Sequence, residues 1–360
     1  MFQPLTLMIT SSGGMMSSVN NRVNCCTGND GFSLVELMIA LTLGLLLSVG
    51  IISVYLNSKT NFAQDEEVAR VQENGRFAIN ILSRNISMAG FYGGILESDA
   101  FDTTPAISSS CGGAGAWEFD IENPLTFVND ATGANASAAL PCITAADVYN
   151  AASVSVIPDV IGLKRVAGDK TLDDGEWNTE KGASSASFSG SGNQIYLRVI
   201  YQTNDIDVIK ASEANLASDA SVDSGVNYWK YEAMAFFVRS YSDDGDGIPT
   251  LCAETLKGVE VQVECLVEGV EDLQLEFGID SNEDGRADSF TTDPSSAELR
   301  TVTSARIYVL VRSINQLPAG MLEADRLYQM GNAATAGPFN DNFYRRVFST
   351  TVLLKNSFAL

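Results

Sequence analysis

The strongest pattern in the chain is an apolar run between residues 32 and 56. It contains a single charged residue, Glu36, and the 20 residues from Leu37 to Leu56 carry no charge. As a helix that rises about 1.5 Å per residue, this stretch spans roughly 30 Å, the thickness of the hydrocarbon core of a bilayer. The pattern therefore predicts a membrane-spanning helix with one carboxylate near its start.

The helical pattern continues beyond the apolar run. Residues 57–89 contain no proline, and apolar side chains recur there at helical spacing. This stripe consists of Phe77, Ala78, Ile81, Leu82, Ile86 and Met88. A group of glycines, Gly90, Gly93 and Gly94, then predicts the end of the helix. We expect one helix over residues 32–90, whose second half packs its stripe against a following sheet.

The remainder of the chain, residues 91–360, predicts a β-rich domain. Residues 95–195 are rich in Gly, Ala, Ser, Asn and Asp, with short apolar runs such as 152–157, and predict long loops with short strands. From residue 195 onward, β-branched and aromatic segments separated by Gly, Asp and Asn turns predict strands. These segments are 195–202, 229–241, 258–267, 271–279, 305–313 and 344–356. One long helix followed by an antiparallel sheet is an α+β fold.

Charge and composition limit the possible partners. The formal net charge is −23, which excludes nucleic-acid binding through a general phosphate-neutralising surface. The chain is 45% hydrophobic, so it has ample material for a buried core. Beyond the helix, the remaining length suffices for one large domain or two small ones.

Residues 31–36 read Gly-Phe-Ser-Leu-Val-Glu, and this order before an apolar helix resembles the type III signal of type IV pilins and pseudopilins. The resemblance implies that a prepilin peptidase cuts between Gly31 and Phe32 and methylates the new amino terminus at Phe32. Residues 1–31 are then a leader that is removed, and we exclude them from the fold.

The leader differs in charge from the basic leaders of that family. Arg22 and Asp30 are its only charged residues, so its removal leaves the net charge at −23. A start at Met15 or Met16 would give a leader of more usual length.

The chemistry of Glu36 fits this resemblance. After cleavage, Phe32 would carry an ammonium group about one helical turn from the carboxylate. When such helices pack side by side in an apolar bundle, the ammonium of one neutralises the carboxylate of its neighbour and favours one axial register. The alternative is an ordinary signal anchor whose glutamate lies near the lipid headgroups.

A second resemblance lies downstream. Residues 70–94 resemble the corresponding region of the PilW family of pilus assembly proteins, and the order of segments 269–280, 305–313 and 344–356 resembles the C-terminal part of those proteins. Residues 95–195 are not matched. The family implies a pilin-like architecture, with the long helix followed by an antiparallel sheet domain.

The resemblance implies a minor pilin without enzymatic activity. Such a protein helps to initiate pilus assembly and to form the tip complex, and it supports twitching motility and adhesion. Its partners would be other minor and major pilins, the prepilin peptidase, the inner-membrane assembly platform and a tip adhesin. It would cross the inner membrane once, with its C-terminal domain in the periplasm, and reach the pilus tip after assembly.

Two other functions stay open. A type II secretion pseudopilin has the same N-terminal cleavage signal, methylation and apolar helix. The function that is lost on deletion would distinguish a pseudopilin from a minor pilin. A membrane-anchored, calcium-dependent adhesive domain outside any filament is the alternative from another class. An anchored enzyme is disfavoured, because the chain has no histidine and no recognisable catalytic group of residues.

Four of the six cysteines lie outside the leader, which itself holds Cys25 and Cys26. An even number in a translocated domain favours two disulfides, because the periplasm is oxidising. Of the three possible connectivities we prefer the pairing of sequence neighbours, Cys111 with Cys142 and Cys252 with Cys265.

Residues 280–288 place oxygen-bearing groups at alternate positions, with Gly285 at the sixth. The candidate calcium ligands are Asp280, Asn282, Asp284, Asp288 and the backbone carbonyl of Arg286. Thr291 stands where an EF-hand has its bidentate glutamate, so the loop more closely resembles the shorter calcium loops of thrombospondin repeats and pilus-tip adhesins. The alternative is a hairpin turn with solvated acids between strands at 273–279 and 304–312. Bound calcium would stiffen a loop used for subunit contact.

A second acidic turn spans residues 243–249. Asp244 and Asp246 are candidate cation ligands there. Asp-Gly turns, however, are common for backbone reasons alone, and we favour that interpretation.

Overall fold

A computed structural model describes residues 31–95, 101, 103–112, 117–144, 147–149, 157–203, 205–318, 325–332, 335–354 and 356. The predictions for the leader before residue 31, with its two charges and two cysteines, lie outside these residues. So does the short apolar run predicted at 152–157, except for its last residue.

The chain folds as a long helix followed by antiparallel strands. The helices are α1 (Leu34–Ser87), α2 (Gly133–Ala139), α3 (Ser185–Gly190) and α4 (Leu216–Asp219). The strands are β1 (Leu125–Val128), β2 (Val160–Asp173), β3 (Glu176–Trp177), β4 (Ile195–Ile200), β5 (Asp205–Lys210), β6 (Val226–Arg239), β7 (Thr250–Lys257), β8 (Glu260–Glu268), β9 (Val270–Ile279), β10 (Ser289–Thr291), β11 (Val302–Arg312) and β12 (Arg345–Leu353). Short 3₁₀ turns lie at Thr179–Lys181, Ala211–Glu213 and Glu298–Thr301. The predicted α+β fold is confirmed.

The described strands form two sheets, where the sequence predicted one. The first is eight-stranded with the order β1-β2-β6-β4-β5, to which β3 adds beside β2 and the β7–β8 hairpin adds beside β6. The second is four-stranded with the order β10-β9-β11-β12. The named strand pairs in both sheets are antiparallel.

The chain divides into two compact units, one ending at Ser58 and the other running from Lys59 to Leu360. Within the second unit, the later turns of α1 bury Val71, Ala78, Leu82 and Ile86 in a core shared with β9 and β11. These positions follow the 3.6-residue helical period, so they lie on one face.

The prediction of the apolar stripe on α1 is wrong in part. Ala78, Leu82 and Ile86 are buried as expected, but Phe77 is 53% exposed. One residue corresponds to about 100° of helical rotation, which turns Phe77 away from the face that Ala78 occupies. The helix ends at Ser87, and Gly90, Gly93 and Gly94 follow with positive φ angles, as their position predicted.

The region 95–195 is more regular than its composition predicted. It contains β2, a strand of 14 residues whose first seven positions are all buried. Lys164 and Arg165 interrupt any apolar alternation in that strand, which is why the pattern did not reveal it. Strand β5 was also missed, although its first four residues alternate between polar and apolar, and β7 was missed because its residues do not alternate.

Candidate functional site

The N-terminal part of α1 exposes an uninterrupted apolar surface. Every large apolar side chain from Phe32 to Leu56 is more than half exposed, from 54% at Leu56 to 84% at Phe32. By length and composition, α1 is the one described helix that is apolar enough to cross a membrane. Exposed apolar area of this extent requires lipid or another apolar surface around it.

Glu36 lies in the first turn of this helix, which begins at Leu34. The amide of Leu37 donates a hydrogen bond to the carbonyl oxygen of Ser33 at 3.1 Å, so the helical hydrogen bonds start immediately after the Gly31–Phe32 bond. A carboxylate in the first turn is favourably placed against the positive end of the helix dipole. The predicted cleavage position therefore leads directly into the helix, and the predicted assembly residue sits at its start.

Gly31 itself has free space around it. A Cβ built on Gly31 meets no atom within 4 Å, and the same is true of Gly44 and Gly50 further along the helix. The fold therefore places no steric demand on Gly31. A requirement for glycine there would have to come from another protein, such as a peptidase.

Polar groups inside the apolar run are satisfied by the helix. The hydroxyl of Thr42 donates to the carbonyl of Ile39 at 2.9 Å, and that of Ser48 donates to the carbonyl of Gly44 at 2.8 Å. Small residues with satisfied hydroxyls permit close approach of a second helix in an apolar environment. The groove lined by Leu46, Gly50 and Val54 is one such place.

Glu67 is a functional candidate that the sequence analysis missed. It is 6% exposed, and its carboxylate accepts hydrogen bonds from the backbone amides of Ile314 and Asn315 at 3.2 and 3.3 Å and from the Asn315 side chain at 2.7 Å. Arg70 lies 3.8 Å from the same carboxylate. Glu67 therefore fastens α1 to the segment that follows β11. Its position four residues before Val71 indicates only that it lies on the buried face of α1.

A buried ionic cluster holds the same end of the second sheet. The guanidinium of Arg345 donates to Glu271 at 2.5 and 2.9 Å and to Asp341 at 2.5 and 2.8 Å. These carboxylates raise the pKa of Arg345 despite its burial. Arg312 donates to the carbonyl of Gly247 at 2.8 Å, which ties the acidic turn at 243–249 to β11. Because its charges are paired and hydrogen-bonded, we interpret the cluster as a structural one that joins the strands at this end of the sheet.

The acidic loop at 280–288 joins β9 to β10, with Ser289 opposite Ile279 in the register. The alternative to a calcium site was a hairpin turn leading into a strand at 304–312. The loop leads instead into β10, which precedes that strand. Asp280 accepts hydrogen bonds from the amides of Asp284 and Gly285 at 3.2 and 2.7 Å. Asp288 accepts from the amide and hydroxyl of Ser281 at 2.9 and 2.8 Å, and these bonds lower the pKa of Asp288.

The oxygen atoms at the five predicted calcium positions therefore belong to one loop. Its carboxylates, however, accept hydrogen bonds from neighbouring groups of the same loop. The amide of Asp284 also donates to the Asn282 side chain at 3.0 Å, and the amide of Arg286 donates to Asp284 at 2.9 Å. Across the described part of the chain, His, Cys, Asp and Glu side chains nowhere form a group of three that could hold a metal ion. Calcium binding here stays a prediction. Each carboxylate has about four lone-pair sites, so these hydrogen bonds leave lone pairs for an ion.

The turn at 243–249 is organised by Asp246. Its carboxylate accepts hydrogen bonds from the amides of Ser242, Asp243 and Ile248 at 3.2, 2.8 and 2.9 Å, and these bonds lower its pKa. Asp244 is exposed beside it. The turn thus has the backbone role that we favoured over a cation site.

The two preferred disulfides are present. Cys111 pairs with Cys142, and Cys252 pairs with Cys265 across the β7–β8 hairpin, where the two residues are directly opposite. The pairing of sequence neighbours is therefore confirmed.

Comparisons with known proteins identify two regions of the chain. A family model described as Type IV Pilus-assembly protein W matches residues 235–356, and one described as Prokaryotic N-terminal methylation motif matches residues 27–52. No curated protein matches the chain. Among solved structures, a type IV-like pilin from Thermus thermophilus matches with a TM-score of 0.33 and 9% identity, covering 81% of this chain and 98% of that one.

Proposed function

We propose, from the premise that this chain belongs to the PilW family of type IV pilus-assembly proteins, that it is a minor pilin of the type IV pilus. The methylation motif and the apolar N-terminal helix fit a membrane-anchored pilin. One observation carries the proposal. The exposed apolar run at residues 32–56 follows Gly31, and its only charge, Glu36, lies in the first turn of α1.

In the proposed sequence of events, the chain is inserted in the inner membrane and cut between Gly31 and Phe32 by the prepilin peptidase. Methylation of Phe32 follows. The mature helix then enters the filament, where its ammonium and the Glu36 carboxylate pair with groups on neighbouring pilins. The chain would help to initiate assembly and form the tip complex, with roles in twitching motility and adhesion. Pilins are structural proteins, and we propose no catalytic role.

Substitution of Gly31 tests the processing step. Because a Cβ at this position meets nothing within the chain, Gly31→Val should leave the fold intact and block cleavage. The matched control is Gly44→Ala, where a Cβ is equally free. We expect unprocessed precursor for the first variant and a methylated Phe32 terminus for the control, both read by intact mass. Normal maturation of Gly31→Val would contradict the assignment.

Substitution of Glu36 separates a pilin from a simple anchor. Glu36→Gln should still insert in the membrane but should be lost from sheared filaments, because its neighbour's ammonium has no carboxylate to pair with. Glu66→Gln is the control, since Glu66 is on the same helix with its side chain 57% exposed. Equal recovery of both variants in filaments would refute this role of Glu36. Absence of both variants and of the unsubstituted chain from filaments would favour an anchored domain. Deletion of the gene should abolish piliation or twitching, and a secretion defect instead would indicate a pseudopilin.

A further inference from the structure

The outer edge of the four-stranded sheet is β12, and no described segment pairs with its outer side from Val347 to Leu353. β12 pairs with β11 on one side, in an unbroken register from Arg345 opposite Arg312 to Leu353 opposite Ser304. From Val347 to Leu353 it reads Val-Phe-Ser-Thr-Thr-Val-Leu, seven residues without a charge, a glycine or a proline in a chain of net charge −23. Such an edge is a template for another strand.

The hydrogen-bond pattern shows which groups face outward. The amide of Leu354 donates to the carbonyl of Thr303 at 2.9 Å, and the amide of Ser313 donates to the carbonyl of Tyr344 at 2.8 Å. In an antiparallel pair, hydrogen-bonded positions alternate, so the even-numbered residues of β12 bond to β11. The backbone groups of Val347, Ser349, Thr351 and Leu353 therefore point away from the sheet. Among the described residues, none donates to or accepts from these outward backbone groups.

The other long sheet edges are covered or charged. Beside β8, the amide of Ser108 donates to the carbonyl of Val259 at 2.7 Å and the Ser109 hydroxyl accepts from the amide of Val261 at 2.8 Å. β8 itself also carries three glutamates. Beside β5, the amide of Val208 donates to the carbonyl of Thr103 at 3.0 Å.

The opposite edge of the same sheet is also closed. β10 covers one end of β9, and Asp159 covers the middle. The backbone amide of Asp159 donates to Leu273 and its carboxylate accepts from Leu275, both at 2.8 Å. The described residues thus cover these edges or place charges on them, whereas none of them covers β12 from Val347 to Leu353. Natural proteins protect long edges against aggregation, so an open one indicates a partner.

β12 packs against α1, the helix that the proposed function assigns to assembly. Phe348 and Val352 pack on the core formed with α1, and the ring of Phe348 lies against Gly75. The Asn356 side chain donates to the carbonyl of Ala89 at 3.3 Å. Hence β12 runs beside α1 from Gly75 to Ala89. A subunit that contacts this part of α1 also reaches the open edge.

We propose that the free edge of β12 accepts an extended, uncharged strand of a neighbouring pilin subunit, which adds a fifth strand to this sheet. The outward amides and carbonyls of Ser349 and Thr351 supply the central hydrogen bonds, and the small hydroxyl side chains leave room for the incoming backbone. This inference rests on the proposed function, since the occupant is a pilin.

The test compares Thr351→Pro with Thr351→Ala in the full chain. Both variants remove the side chain, but only proline removes the outward N–H, and proline is tolerated at the free edge of a strand. Melting temperatures in detergent should match, while recovery of Thr351→Pro in sheared filaments falls about tenfold below Thr351→Ala, roughly the loss of one good hydrogen bond. Equal recovery would overturn the proposal.

Hydrogen exchange of the unsubstituted chain supplies the second measurement and decides alone if the proline variant does not fold. We expect the outward amides of Val347, Ser349, Thr351 and Leu353 to exchange rapidly in detergent and about tenfold or more slowly in filaments. Presence in filaments without this protection would overturn the strand addition and leave the pilin assignment standing. Absence of the unsubstituted chain from filaments would overturn both. If these outward amides are already protected in detergent, the edge of β12 is covered by the chain itself. If that protection increases with protein concentration, a second copy of the chain covers it. Either result overturns the proposal.

Discussion

The contact between Gly75 of α1 and Phe348 of β12 gives a prediction whose sign can be tested. A Cβ built on Gly75 would overlap the Cδ2, Cε2 and Cζ atoms of the Phe348 ring. Carbon atoms pack at roughly 3.5–4.0 Å, so the ring or the helix has to move by more than an ångström. Overpacking of this kind costs about 1–3 kcal/mol.

Two opposing terms determine the net effect of Gly75→Ala. Alanine stabilises a helix interior by about 1 kcal/mol relative to glycine. We therefore expect a net loss of up to about 2 kcal/mol in the free energy of unfolding. In a Phe348→Ala background the overlap is gone, so the same substitution should raise the free energy of unfolding by about 1 kcal/mol.

Urea denaturation in detergent, followed by tryptophan fluorescence, measures these changes. The chain has three tryptophans, and Trp117, Trp177 and Trp229 all lie in the unit that begins at Lys59. The double-mutant cycle should give a coupling energy of about 1–3 kcal/mol between the two positions. Equal effects of Gly75→Ala in both backgrounds would refute the packing argument, as would stabilisation of the unsubstituted chain.

Other perturbations have defined outcomes. Burial lowers the pKa of Lys164 to about 8, whereas the unfolded value is 10.5, so the unfolded state binds more protons between these values. Stability should therefore rise with pH across this window, by up to about 3 kcal/mol, and Lys164→Met should lose this rise in urea titrations at pH 8 and 10. Glu67→Ala should lower the free energy of unfolding by about 2–4 kcal/mol, because it leaves buried amides without an acceptor. The control Glu66→Ala should change it by less than about 1 kcal/mol, since that ion pair is exposed; equal losses would show that the Glu67 contacts contribute nothing. Calcium at about 1 mM should raise the melting temperature and release or absorb heat in calorimetry, and Asp284→Ala should abolish both effects. An unchanged melting temperature would dismiss calcium as a structural ion of this loop.

Local patterns allowed much of the architecture to be predicted. The apolar run, the glycines after α1 and the partly alternating segments from residue 195 are each contained completely in a short stretch of sequence. Strands β4, β6, β8, β9, β11 and β12 were predicted in this way. Phe77 was misplaced because its hydrophobicity alone does not say which neighbouring position faces the sheet.

The candidate site divides in the same way. Gly31, Phe32 and Glu36 were found from their spacing along one segment. Glu67 was missed because its partners are about 250 residues away along the chain, and its role depends on a contact that no local pattern encodes.

The membrane-type helix, the α+β class and the signal before the helix follow from the sequence alone, because each depends on residues that are neighbours along the chain. Of the three possible disulfide connectivities the sequence favoured one, which the structure confirms. The tertiary structure adds that the strands form two sheets, that Gly75 allows Phe348 to approach α1, and that no described segment covers the outer side of β12. These features depend on which distant segments pair with one another. Pairing is decided by the fit of whole surfaces.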